Sequence, residues 1–213
     1  AKSATGYYIY RSFLPFDTSS IPDDAAITSA SLNVYVYNKK NEDNDGDDFI
    51  TLVQTSQASA TTLSTADFDQ AGSINNPTEG INLSERKDIT NIPIGKFLTF
   101  NLNSTGKGWI SATGTTKLGL REGHDVIDSP LIVSPTTSLQ YNAVFISSSE
   151  NSGTVQDPYL SLTYTQTTAA DSKPTATTLQ DLSYNYDAVG NITKIIDASD
   201  LDTAKTSDYT YDD

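Results

Sequence analysis

Residues 30–38 read ASLNVYVYN. Apolar and polar side chains alternate there, and a period of two marks a strand with one face in a core, because successive side chains leave a strand on opposite faces. The alternation predicts Leu32, Val34 and Val36 on the buried face and Asn33, Tyr35 and Tyr37 on the other. The same period recurs at 7–16 (YYIYRSFLPF), 49–56, 97–102, 116–122, 142–148 and 159–165. Clusters such as SSIPDDA and INNPTEG break these runs and supply turns. Helical periodicity does not persist; TADFDQ and STGKGWIS are the best short helices. Many strands and few helices predict an all-β chain, an antiparallel β-sandwich of jelly-roll type. A β domain of this size buries roughly 70% of its unfolded surface. With no cysteine in 213 residues it does so without disulfides. The expected core is Leu14, Phe16, Leu32, Val34, Val36, Leu52, Phe100, Trp109, Leu118, Phe145 and Leu162.

After Thr165 the composition changes. QTTAADSKPTATTLQD offers little to bury and reads as an extended linker. The expected organisation is a sandwich over 1–165, a linker over 166–182 and a β-hairpin appendage over 183–213. The hairpin strands fall near 182–187 and 191–197, on either side of AVGN, with DYTYD opening a third strand. The pair Tyr186-Asp187 recurs at Tyr211-Asp212, as in a repeat array.

Two resemblances rest on these residues. The order Arg11, Leu14, Phe16-Asp17, Ser20-Ile21-Pro22, Ile27, Ala30, Leu32, Tyr35 resembles the opening of DNRLRE-type (disaggregatase-related) domains. FNLNSTGKGWIS, TKLGLRE and the closing strands to Thr165 follow that pattern in order. These domains are grouped with carbohydrate-binding modules of the alginate-lyase type. The resemblance implies a jelly-roll sandwich and, by analogy, glycan binding. It also implies that Trp109 plugs the sandwich rather than stacking on sugar. The tail, YNYDAVGNITKI followed by YTYDD, resembles YD (RHS) repeats of large secreted or wall-associated bacterial proteins. That implies a module in a longer YD-repeat polypeptide at the bacterial cell surface.

A net charge of −14 argues against nucleic acid and anionic lipid as partners, and against polyanionic glycans. No apolar run approaches the about 20 residues of a membrane span, so no membrane insertion is expected. No charged-then-apolar leader opens the segment, so an export signal would lie outside it. Catalysis finds little support. The single histidine, His124 in REGHDV, is expected in a surface loop. There is no G-x-S-x-G elbow, and GKGWIS lacks the last glycine of a dinucleotide loop. The expectation is a non-catalytic module.

Two stretches are candidate sites. In NKKNEDNDGDDF, Asn41, Asp43 and Asp45 alternate and Gly46 follows, as in the first half of a Ca²⁺ loop. The bidentate glutamate of an EF-hand would fall at position 52, which is Leu52, so Asp47 or Asp48 would have to complete a simpler oxygen cage. The alternative is an acidic hairpin loop without an ion. Tyr35 and Tyr37, beside Asn33 and extended by Tyr8 and Tyr10, form a candidate sugar platform on the outer sheet. The alternative is that another layer covers them. For the whole chain two functions remain: a module binding neutral glycan or cell-wall polysaccharide, or a structural spacer capping a YD-repeat shell.

Overall fold

The structure, a computed structural model, describes residues 1–3, 6–131, 139–149, 153–166, 182–186, 192–197 and 205–210. The chain divides into two compact units, Ala1–Gln166 and Thr167–Asp213. In the first, the strands are β1 (Leu14–Asp17), β2 (Ala25–Asn41), β3 (Phe49–Gln54), β4 (Lys87–Asp88), β5 (Lys96–Asn101), β6 (Thr115–Glu122), β7 (Asn142–Ile146) and β8 (Tyr159–Gln166). Two one-turn helices join them, α1 (Ser104–Lys107) and α2 (Gly123–Ile127). One antiparallel sheet runs β1-β6-β3-β4; the other is built on β2.

β2 is 17 residues long, more than any one partner covers. β5 pairs with it over Ser31–Val36, β8 over Ala25–Asn33 and β7 over Val36–Asn41. β8 and β7 therefore follow one another along the edge opposite β5. The pairing with β7 shifts between Val36 and Asn38, so Tyr37 is the extra residue of a bulge.

The two sheets close on one apolar cluster. Leu32, Val34, Val36, Leu98 and Phe100 come from one sheet; Ile50, Leu52, Leu118 and Leu120 come from the other. The β-sandwich and its register are thus as the alternation predicts: Leu32, Val34 and Val36 are fully buried. Leu14, Phe16, Trp109 and Leu162 are half-buried against the cluster. Phe145 is a correction. It lies outside the core, its ring against Tyr37 and Tyr141, because the bulge at Tyr37 offsets the alternation beyond it.

The first strand is also shorter than expected, starting at Leu14 rather than Tyr7. At Ser12 a side chain takes over from the ladder: its hydroxyl accepts the Leu120 N–H at 2.8 Å. Arg11 turns inward to a carboxylate, so residues 7–12 run beside the sheet as irregular chain. The short helices fall where anticipated, at Ser104–Lys107 and as a 3-10 turn at Thr65–Gln70 under a Ser64–Asp67 capping box.

In the second unit β9 (Leu182–Tyr186), β10 (Ile192–Asp197) and β11 (Lys205–Asp208) form an antiparallel sheet in the order β11-β10-β9. The third strand lies upstream of DYTYD and ends at Asp208, although the Tyr209 N–H still reaches the Thr193 carbonyl at 3.0 Å. The linker over 167–181 and the AVGN turn lie outside the described residues.

Phe100 is fully buried between the sheets. Phe100→Ala should cost about 3–5 kcal/mol in urea unfolding. Tyr37→Ala, at a ring 54% exposed, should change stability by less than about 1 kcal/mol.

Candidate functional site

The penultimate residue of β6 is Arg121, whose side chain is 0% exposed. A guanidinium carries five N–H donors, and burying one demands a partner for each. Here Nε donates to Asp125 Oδ2 at 2.6 Å. One terminal nitrogen donates to the Ala71 and Ser73 carbonyls, the other to the Ile74 and Asp125 carbonyls. Arg11 approaches the same carboxylate from the other side, Nε and Nη2 taking Oδ2 and Oδ1 at 2.9 and 2.7 Å. Its guanidinium stacks 4.4 Å from the centre of the Phe68 ring. Burial opposes the Asp125 charge, but the hydrogen bonds and charges of the two arginines outweigh it and hold its pKa below the usual carboxylate value. This network fastens the 71–74 loop and α2 to the end of β6.

α2 carries His124. Glu122 caps the helix, accepting the His124 backbone N–H at 3.0 Å. It also meets Nδ1 at 2.8 Å. A carboxylate can only accept there, so Nδ1 holds the proton and Nε2 faces the other way. Nε2 lies 3.2 Å from Asp43 Oδ2 and 3.5 Å from Asp45 Oδ2. It has no hydrogen-bond partner among the described residues. Burial works against a charged His124, yet Glu122, Asp43 and Asp45 together raise its pKa to about 9. Burial likewise pushes Glu122 up, against the pull of His124.

Two glycines bring the acidic loop to this helix. Gly46 turns the loop at φ +102°. At Gly123 a Cβ would lie 1.8 Å from the Asp47 carbonyl oxygen and 2.7 Å from the Phe49 ring, so a side chain there would expel the loop. Asp43, Asp45 and His124 consequently place one ligand atom each within 4.8 Å of one another, a group able to hold a metal ion. Asp43 and Asp45 were expected together; His124 was not.

Other expectations are corrected. His124 is only 7% exposed rather than on a surface loop, because its capping carboxylate and Gly123 draw it under the acidic loop. Asn41 and Asp48 bond to each other, and Asp48 also accepts the Gly46 N–H at 2.9 Å, so neither joins Asp43 and Asp45. Asp47 contributes its backbone N–H to Asp45 Oδ1 at 3.0 Å and is not in the group. Leu52 is fully buried in the core, which closes the EF-hand geometry.

His124 also borders a cleft of about 470 Å³. Tyr7, Tyr8, Ile9 and Tyr10 form one wall, all between 47% and 64% exposed. Glu122, Asp128, Asn75 and Asn142 supply polar groups, and Leu120, Val144 and Ile146 an apolar floor. Tyr10 belongs here; Asn33, Tyr35 and Tyr37 are not among the lining residues.

Those three stand on the outer face of the β2 sheet. Asn33 is buried, its Oδ1 accepting from Thr99 at 2.7 Å and its amide facing Ser31. Phe97 packs edge-on to Tyr35 at 5.4 Å and to Tyr159 at 5.2 Å. Phe97 thus packs against Tyr35, and of Asn33, Tyr35 and Tyr37 only Tyr37 is well exposed; Tyr159 beside them is 47% exposed. No family model matches the chain, and no curated protein sequence matches it.

What sequence reasoning missed is the run Arg121-Glu122-Gly123-His124-Asp125. Four ionisable residues in five, at a strand end and around one glycine, were its signal. Removing the shared carboxylate tests the frame. Asp125→Asn should cost about 3–5 kcal/mol near pH 7, since it leaves the buried Arg121 charge uncompensated. Because the folded pKa is depressed, the Asp125 contribution is present above the unfolded value of 3.8 and is lost only as pH falls below it. Urea titrations of both proteins should show a constant gap from pH 7 down to about 4, closing at lower pH.

Proposed function

We propose that the chain is a non-catalytic glycan-binding module, of the carbohydrate-binding type its sequence resembles, in a secreted or surface-exposed bacterial YD-repeat polypeptide. The supporting observation is the cleft: three exposed tyrosines on one wall, with amide and carboxylate groups within the same lining. Tyrosine rings give sugar C–H faces a flat apolar surface, and clustered exposed aromatics mark a binding surface more often than a bare one. The net charge of −14 on the chain favours a neutral glycan over a uronate polymer. In this reading the ligand surface moves from Tyr35 and Tyr37 to Tyr7, Tyr8 and Tyr10.

A divalent ion on Asp43, Asp45 and His124 serves here to brace the cleft wall. Calcium, the ion suggested by the alternating oxygens of the loop, would use only the two carboxylates, and the imidazole beside them speaks against it. The spacer reading is favoured by one observation, the mutual packing of the rings on the outer sheet face.

The test is a neutral-oligosaccharide array and a cell-wall pulldown. Wild type and Tyr37→Ala should bind alike. Tyr8→Ala combined with Tyr10→Ala should weaken binding roughly tenfold or more, as loss of central aromatic contacts does. Absence of any glycan binding by the wild type would leave the spacer as the function.

A further inference from the structure

We infer that Asp43, Asp45 and His124 form a binding site for a divalent metal of the zinc type, which staples the acidic β2–β3 loop to α2. The inference stands apart from glycan binding. It starts from the imidazole. The His124 side chain is 93% buried, being 7% exposed, yet Nε2 makes no hydrogen bond among the described residues and points at two carboxylate oxygens. A buried ring nitrogen that faces two carboxylate oxygens without a hydrogen bond to either leaves a shared cation as the group that suits all three.

Each donor is already held in a ligating pose. Glu122 takes the Nδ1 proton at 2.8 Å, which fixes the tautomer with its lone pair on Nε2. A carboxylate behind a ligating histidine is the usual outer shell of a metal site. Asn142 donates to Asp43 Oδ1, and the Asp47 backbone N–H donates to Asp45 Oδ1. The opposite oxygens, Oδ2 of both residues, are the ones that face Nε2.

The two spacings from the imidazole fit a tetrahedral ion. Metal–ligand bonds of about 2.0–2.2 Å at tetrahedral angles set neighbouring donors about 3.3–3.6 Å apart. The observed separations from Nε2 are 3.2 and 3.5 Å. Calcium takes six to eight oxygen ligands and no imidazole, whereas a nitrogen and two carboxylate oxygens suit zinc and its neighbours in the first row. Three protein ligands leave a fourth position, which water fills. Because His124 borders the cleft, the ion stands behind its wall and joins two segments about 80 residues apart, a loop closure that stabilises the fold.

The experiment uses the full chain stripped with chelator. Zinc, cobalt and calcium salts are titrated in by calorimetry, with melting followed in parallel. Zinc should bind one per chain and raise the melting temperature, and should outcompete a hundredfold excess of calcium. Cobalt should give the intense visible absorption of a tetrahedral site. His124→Gln and Asp45→Asn should each abolish the tight zinc phase. Asp45 is partly exposed, so its variant is expected to fold even where the His124 variant does not. Glu122→Gln should weaken zinc about 10–100-fold. Calcium binding as tightly as zinc, octahedral cobalt spectra, or zinc affinity unchanged in Asp45→Asn would each overturn the inference.

Discussion

A buried arginine with five donors organises one end of this sandwich. Arg121 has no exposure, so every N–H must find an acceptor within the protein. Four of those acceptors are backbone carbonyls, three from the 71–74 loop and one from α2; the fifth is Asp125. The loop and the helix are therefore not free to choose their paths. They go where the guanidinium requires them, and Arg11 brings the N-terminal segment to the same carboxylate. The tyrosine segment that lines the cleft and the helix that carries His124 are both tied to that one clamp.

The clamp also sets the local electrostatics. With Asp125 paired to two arginines, the carboxylates that reach His124 are Glu122, Asp43 and Asp45. Their arrangement around a single imidazole raises its pKa to about 9 despite burial. The same geometry that favours a proton on Nε2 favours a metal ion there, since both are cations competing for one lone pair. The acidic loop comes close enough only because residue 123 has no side chain.

The strands were legible because alternation is a local signal. Leu32, Val34 and Val36 declare their face within seven residues, and the core fills with them. The bulge at Tyr37 was not, since it depends on how two strands, β7 and β8, share one edge of β2. Two of the three members of the candidate metal group could be read directly: Asp43 and Asp45 alternate before a glycine. Its third member could not, because His124 lies about 80 residues further on and meets the loop only through the fold. Which tyrosines line a cleft was not legible for a related reason. Tyr35 looks available along β2, but Phe97 from a flanking strand packs edge-on against it, while Tyr7, Tyr8 and Tyr10 lie on a segment that leaves the ladder.

Amide hydrogen exchange on Arg121→Met tests the central claim most directly, since methionine keeps the apolar stem and removes all five donors. If the guanidinium organises this end of the sandwich, protection should fall together in residues 68–76 and 123–129 while β2 and β5 keep theirs. Unchanged protection in both segments, or an equal loss across the whole sandwich, would contradict it.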